Sequence, residues 1–276
     1  MTTIAPNDFD YLRQLVRERS AIVLEPGKEY LALSRLEPVA RNEGLGSIRE
    51  LVASLRSERV PGRLADAVVD AMTTNETSWF RDVHPFESFR TTVLPDVRAR
   101  RAAARTMSIW SAASSSGQEP YSIAMVLKDS MPDIDGWNVR IHATDLSPTM
   151  VERTRSGRYT QLEVNRGLPA QLLVRHLRRD GTLWQVDESL RRMVQAEQHN
   201  LAGAWRPMGP FDVVFLRNVL IYFDVPTKQE ILRRVRRVLA PGGWLLLGGS
   251  ETTLNIDETF ERVPVGKTVW YRSTVR

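Results

Sequence analysis

After about residue 106 the chain alternates short apolar runs with amphipathic helical stretches. That alternation is the pattern of βαβ crossover units on a mainly parallel sheet, and few other folds accommodate it. The spacing predicts strands at residues 108–112, 139–144, 194–198, 212–216 and 244–247, with helices at 120–127, 148–156 and 226–239. The last helix has Pro226 just inside its start and Pro241-Gly242-Gly243 just past its end, the expected punctuation. Residues 260–264 and 268–272 read as a closing hairpin around Gly266. The expected class is a doubly wound α/β domain.

The first 72 residues carry helical periodicity instead. Asn7 is expected to cap a helix whose inward face is Phe9, Leu12, Leu15 and Val16. A second helix uses Leu31, Leu36 and Val39, with a kink or fresh start at Pro38. A third starts at Ser47 with Glu50 at capping-box spacing, and a fourth follows Pro61-Gly62 with Leu64, Val68 and Met72. The expected organisation is a helical domain over 1–72, a linker over 73–84 and an α/β domain over 85–276. Within the last, residues 157–192 are too long for a simple connection. A helix at 169–177, then Gly181 and a hairpin through 182–186, mark them as a small inserted β-subdomain.

Composition removes several classes of function. With no cysteine there is no disulfide framework and no thiolate metal site, and His84, His142, His176 and His199 lack ligand spacing, so no metal is expected. The longest apolar segment, 211–223, is interrupted by Asp212, Arg217 and Asn218, and the N-terminus has no basic start before an apolar stretch. Neither a membrane span nor a signal peptide is expected, and the cytoplasm is the expected location. The net charge of +5 can attract nucleic acid, membrane surface or an acidic protein; interleaved acids point as readily to mere solubility.

Chemistry concentrates at three predicted carboxyl edges. The first strand runs into Ser114-Ser115-Ser116-Gly117-Gln118-Glu119-Pro120, where small residues let a ligand approach the backbone, although any tight connection can be Ser- and Gly-rich. A pyrophosphate is disfavoured, because only Gly117 is present and Glu119 stands where phosphate would sit. The second strand ends in Asp145, which can accept from both hydroxyls of a ribose. A capping role for Asp145 is the alternative, but Ser147 before Pro148 already supplies a cap. The third edge carries Arg217-Asn218 inside an apolar run, a pair costly to bury unless it faces a cleft, followed by Tyr222, which can equally be a core aromatic.

The strings Asn75-Glu76-Thr77-Ser78-Trp79-Phe80-Arg81-Asp82, Trp110-Ser111-Ala112-Ala113 with Gly117-Gln118-Glu119-Pro120-Tyr121-Ser122, Ala143-Thr144-Asp145-Leu146-Ser147, 211–215 with 217–224, and Gly249-Ser250-Glu251 resemble successive motifs of the CheR-type chemotaxis receptor glutamate methyltransferases. They occur in that family's order and span most of the chain. The resemblance implies a class I methyltransferase domain using S-adenosylmethionine, with S-adenosylhomocysteine as product, behind a helical domain. It implies that Asn75, Thr77 and Arg81 reach the cofactor, that Gly117 lies in its loop, and that Glu119 contacts its methionine part. Asp145 would hold the ribose, Asn200-Leu201 the adenine side, and Arg217-Asn218 would line the floor. Trp79 stands where phenylalanine is commoner, and Ser114 and Gln118 replace a frequent Cys and Glu; none of these removes a matched contact.

On the substrate side the resemblance implies Tyr222 and an arginine near the start of the catalytic domain; Arg98, Arg100 and Arg101 are all candidates that the sequence does not tell apart, and Arg98 is taken. Lys28, Arg35 and Arg41 would dock the helical cytoplasmic domain of a methyl-accepting chemoreceptor; a solvated polar face is the alternative. The short segment 178–189 argues against a need for the receptor's C-terminal tether peptide.

Three rival functions remain. A base methyltransferase lacks either the cysteine nucleophile or an Asn- or Asp-Pro-Pro-aromatic motif, so nucleic acid is not the expected partner. A small-molecule methyltransferase leaves the helical bundle without a role. A non-catalytic receptor adaptor predicts lost cofactor contacts, and none is seen.

Overall fold

The computed structural model describes residues 4–57 and 62–274, which fall into two units. One takes in the chain to Thr74 with residues 200–204 and 222–227; the other holds the remainder.

The first unit is built on four helices, α1 (Pro6–Ser20), α2 (Glu29–Asn42), α3 (Ile48–Ser57) and α4 (Arg63–Met72). α1 buries Phe9, Leu12, Leu15 and Val16, the stripe its spacing predicts. Its cap differs, because Pro6 occupies the first turn and Ala5 takes the cap position in place of Asn7. α2 buries Ala32, Leu36 and Ala40, so the inward stripe is rotated from the expected Leu31 and Val39. Pro38 does not break α2: it is exposed, and the carbonyl it leaves unpaired is that of exposed Ser34, where water can substitute. The box at α3 is half formed. Ser47 Oγ accepts from Glu50 N at 3.2 Å, whereas the Glu50 carboxylate reaches past Ser47 to Gly46 N at 2.8 Å. α4 follows Gly62 directly; Pro61 lies outside the described residues.

The second unit opens with helical structure that the strand pattern does not announce. α5 (His84–Ser88) passes through a π-helical turn, Phe89–Val93, into α6 (Leu94–Arg101). Pro85 and Pro95 sit in the first turns of α5 and α6, where the missing N–H costs nothing. Next come β1 (Thr106–Ala112), α7 (Gln118–Ser130), β2 (Asn138–Asp145) and α8 (Pro148–Ser156). The insertion follows as β3 (Arg158–Tyr159), α9 (Gln161–Asn165), α10 (Ala170–His176), β4 (Leu177–Asp180), β5 (Leu183–Val186) and α11 (Glu188–Arg191). The chain closes with β6 (Val194–Gln198), β7 (Phe211–Leu216), α12 (Val225–Val238), β8 (Leu239–Leu247), β9 (Phe260–Val265) and β10 (Thr268–Ser273).

Seven strands form the main sheet in the order β6-β2-β1-β7-β8-β10-β9. The first five run parallel, and the terminal hairpin brings β10 in antiparallel to β8. β2 follows β1 on one side while β7 lies on the other, so the strand order reverses at β1, the point where open α/β sheets bind ligands. β7 is buried at all six positions, which is why Phe211–Leu216 reads as a continuous apolar run rather than an alternating one. The insertion makes its own three-stranded sheet, β3-β5-β4.

Pro241-Gly242-Gly243 proves not to be a helix stop. α12 ends at Val238 and passes straight into β8, and the Pro-Gly-Gly forms a bulge where pairing jumps from Phe211 opposite Leu239 to Val213 opposite Trp244. A side chain at Gly243 would stand 2.9 Å from the Ala240 carbonyl oxygen and 3.0 Å from that of Phe211, so the bulge needs glycine there.

At the amino end of β7, Asp212 is 2% exposed; its carboxylate accepts from Arg101 Nε at 2.7 Å and from Ser108 N at 3.0 Å. Asp212→Ala orphans both donors. We expect it to lower the unfolding free energy by about 1–3 kcal/mol. Urea titration should show this as a lower midpoint with an unchanged slope.

Candidate active site

The loop from β1 to α7 is shaped by backbone geometry that its small residues tolerate. Ala113, Ser115 and Gly117 all have positive φ, at 55°, 50° and 95°. Gly117 has no substitute, since a Cβ there would lie 2.9 Å from both Thr154 Oγ1 and the Tyr159 hydroxyl. Those neighbours form the floor of the loop. Tyr159 donates to Ser116 O and Tyr121 to Thr154 O, each at 2.7 Å, and Thr154 Oγ1 donates to Ser115 O at 3.1 Å. Burial pushes both phenols well above the ordinary tyrosine value, so they remain donors throughout the working pH range.

Asp145 ends β2 beside this loop, 5% exposed. One carboxylate oxygen accepts from Ser115 N at 2.8 Å and the other from Ser147 N at 2.9 Å. Ser147 caps α8 by accepting from Met150 N at 3.1 Å, so Asp145 is not needed as the cap. An ionised carboxylate can accept more than one hydrogen bond at each oxygen. Ser115 also donates its hydroxyl to Asn75 O at 2.8 Å, which ties the Asn-Glu-Thr segment to the same loop.

At the carboxyl edge of β7, Arg217 has a side chain 2% exposed. Its guanidinium donates to Glu119 at 2.8 Å, to Asp82 at 2.7 Å and to the carbonyl of Arg81 at 2.9 Å. The ring of Phe86 lies 5.8 Å from its central carbon. Glu119, only 12% exposed, accepts in addition from Ser111 Oγ at 2.8 Å. The buried guanidinium is thus offset by two carboxylates. Asn218 takes the left-handed conformation at φ 58°, and its amide donates to Glu251 at 2.7 Å. Glu251 accepts from Gly248 N at 2.7 Å and from Ile221 N at 3.3 Å as well, so the Gly-Ser-Glu segment braces the turn after β7.

The cluster around Arg217 therefore holds two carboxylates against one guanidinium, with Asp145 a third carboxylate nearby in the same loop system. Such a site favours a cationic ligand bearing a vicinal diol. That donor set fits S-adenosylmethionine, whose sulfonium and ammonium are positive and whose ribose offers two hydroxyls. Residues 79–83 are held where they can take part: Trp79 N donates to Arg166 O at 3.0 Å and Phe80 N to Ser122 Oγ at 3.1 Å. Thr77, just before this stretch, and Arg81 within it are half-buried.

The structure brings together Asn75, Gly117, Glu119, Asp145, Arg217 and Asn218, with Thr77 and Arg81 on the adjoining segment. Asn200, Leu201 and Tyr222 belong to the helical unit. There the Asn200 side chain donates to Arg19 O at 2.7 Å and accepts from Ala202 N at 3.0 Å, Leu201 is buried, and the Tyr222 carbonyl accepts from Val23 N at 3.0 Å.

Two expectations need correction. Arg98 is not at the carboxyl edge: it pairs with Asp133 at 2.8 Å, close to the amino ends of β1 and β2. Arg100 pairs with Asp96 and Arg101 with Asp212, so neither replaces it. Arg35 is taken up in closing α4, donating to the carbonyls of Met72 and Thr73 at 2.8 and 3.1 Å, which leaves half-buried Lys28 and exposed Arg41 as docking cations. Sequence reasoning overlooked Ser111, Ser115 and Asp82; the signal was their position within the same motifs, one strand end or one turn from the residues chosen.

Among the described residues no helix is long and apolar enough to cross a membrane, and no group of three or more His, Asp or Glu is arranged to hold a metal ion. A model of the CheR methyltransferase SAM binding domain matches residues 75–269, and a model of the CheR methyltransferase all-alpha domain matches residues 7–73. The chain is 40% identical over 271 residues to the chemotaxis protein methyltransferase 1 of Pseudomonas aeruginosa, covering 96% of this chain and 97% of that one. It is 40% identical over 281 residues to the chemotaxis protein methyltransferase of Vibrio parahaemolyticus, covering 99% of each. Against the chemotaxis protein methyltransferase of Escherichia coli it is 36% identical over 257 residues, covering 91% of this chain and 86% of the relative. The chain belongs to the CheR methyltransferase family, with both the family's S-adenosylmethionine-binding domain and its all-α domain.

Proposed function

We propose that the chain methylates side-chain carboxylates of glutamates on chemoreceptors, giving glutamate methyl esters that adapt chemosensory signalling. The observation that carries this reading is the pair of carboxylates, Glu119 and Asp82, around one buried guanidinium with Asp145 at the adjoining strand end, set in a chain matched over nearly its whole length by chemotaxis protein methyltransferases.

S-adenosylmethionine supplies, when bound, an electrophilic methyl group on a sulfonium. The protein's own groups bind and orient. Asp145 accepts from the ribose, and Glu119, held by Arg217 and Ser111, presents a fixed negative charge to the methionine ammonium. A free glutamate has a pKa near 4.3, so the receptor carboxylate is ionised near neutral pH and needs no general base. Positioning the reactants in line can supply up to ~7–11 kcal/mol of the barrier. A site that excludes water favours a transition state in which carboxylate and sulfonium charges disperse together. Tyr222 orients the incoming carboxylate with a hydrogen bond. Release follows from the same electrostatics, because transfer removes the sulfonium charge that the acidic cluster favours.

Lys28 and Arg41 dock the receptor's cytoplasmic helical domain, so the reaction takes place in the cytoplasm. A C-terminal receptor tether is not required, since β4 and β5 are joined by Gly181 and Thr182 alone and present no long loop. Nucleic acid is not a substrate.

The direct experiment incubates the protein with methyl-labelled S-adenosylmethionine and membranes bearing the host's chemoreceptors. Base-labile label on the receptor is the expected result; its absence despite cofactor binding would exclude carboxyl methylation of those receptors.

Three substitutions resolve the roles. Asp145→Ala should weaken S-adenosylhomocysteine binding by at least ~100-fold in calorimetry, because a carboxylate accepting from two hydroxyls is lost, and should also lower the melting temperature by several degrees, because the Ser115 and Ser147 amides are orphaned. Arg217→Met should lower both cofactor affinity, by about tenfold or more, and thermal stability, since Glu119 is left buried without its counter-ion. Tyr222→Phe should slow methyl transfer by about 10- to 100-fold, the worth of one hydrogen bond to a charged group, at unchanged cofactor affinity. A full rate in that variant would remove Tyr222 from the mechanism.

A further inference from the structure

Arg98 leaves the active site without the arginine expected there, and its actual surroundings form a second pocket. A cavity of about 490 Å³ opens between α6 and the segment that follows α7. Its apolar lining includes Leu94, Met131 and Trp137. Arg90, Arg98 and Arg105 line it too, against a single acid, Asp133. That carboxylate is already engaged, accepting from Arg98 at 2.8 Å and from Trp137 Nε1 at 3.2 Å. Two guanidinium charges, those of exposed Arg90 and Arg105, are therefore uncompensated within the pocket.

Both of these arginines are delivered by backbone irregularities. Arg90 lies in the π-helical turn Phe89–Val93, a rare form that is frequent at functional sites. Arg105 stands in the left-handed region at φ 47°, a conformation that costs a non-glycine residue about 1 kcal/mol or more. Its carbonyl accepts from Asn138 N at 2.8 Å, fixing it between the amino ends of β1 and β2. The seven residues of β1, at about 3.3 Å each, place this pocket roughly 20 Å along the sheet from the carboxyl edge, so the cofactor site does not explain it. The carbonyl end of α7 also faces this side and opposes an anion, but only by the ~0.3–1 kcal/mol of a helix dipole, less than two uncompensated guanidinium groups contribute.

We propose that this pocket binds a small organic phosphate, its phosphate held by Arg90, Arg98 and Arg105 and its apolar or aromatic body resting against Leu94, Met131 and Trp137. A dianion matches the two uncompensated charges, guanidinium forks match phosphate oxygens, and the cavity falls within the range of small-molecule sites. The apolar floor distinguishes such a ligand from inorganic phosphate.

The probe is 1-naphthyl phosphate, titrated calorimetrically into the full chain saturated with S-adenosylhomocysteine, with inorganic phosphate in parallel. The expected result is one site per chain, at least tenfold tighter for 1-naphthyl phosphate than for inorganic phosphate. Affinity should fall at least tenfold in the double variant Arg90→Ala, Arg105→Ala, and Ala99→Glu, at an exposed position lining the pocket, should weaken the naphthyl compound at unchanged melting temperature. Arg90 and Arg105 are exposed, so the double variant is expected to fold, and its S-adenosylhomocysteine affinity verifies that. Absence of binding to the saturated chain, equal affinity for the two phosphates, or binding unaffected by the double variant would each overturn the proposal.

Discussion

A single buried guanidinium organises the catalytic unit. Arg217 reaches Glu119 in the first turn of α7, Asp82 and the Arg81 carbonyl in the segment before α5, and lies near the ring of Phe86. Three stretches far apart in sequence thereby acquire one register at the sheet's carboxyl edge. Burying a lone guanidinium would cost several kcal/mol, so the arrangement holds only while both carboxylates and the carbonyl remain in place. The same bonds fix Glu119 with a defined direction and charge. Orientation of the ligand site and integrity of the segment 75–83 are accordingly not separable properties here.

Much of this was legible in the primary structure, for identifiable reasons. β7 announced itself because a parallel central strand is apolar on both faces, and the cost of placing Arg217 and Asn218 at its end pointed to a polar site. Asp145 could be told from a capping residue because Ser147-Pro148 already formed a cap. The terminal hairpin and α8 were set by glycine and proline punctuation that the structure keeps.

What escaped was information that one-dimensional spacing does not contain. Pro241-Gly242-Gly243 has the composition of a helix stop and the function of a bulge, and only the pairing of β8 with β7 decides between them. Arg98, Arg100 and Arg101 are indistinguishable by charge, and which pole of the sheet they occupy depends on the direction in which α6 leads into β1. Arg35 reads as a surface cation until the fold brings the last carbonyls of α4 against it. In each case the missing term was a tertiary partner.

The hydroxyl of Tyr159 makes the inserted subdomain something other than an accessory. Tyr159 is a residue of β3 in the subdomain sheet, yet its hydroxyl supports the Ser116 carbonyl and fills the space a side chain at Gly117 would need. Swapping subdomains between relatives to change their partners would therefore also recut the mould of the β1–α7 loop. The natural seam for such a graft lies beyond Tyr159, so that the exchanged piece brings new edges and surfaces while the recipient keeps its own tyrosine.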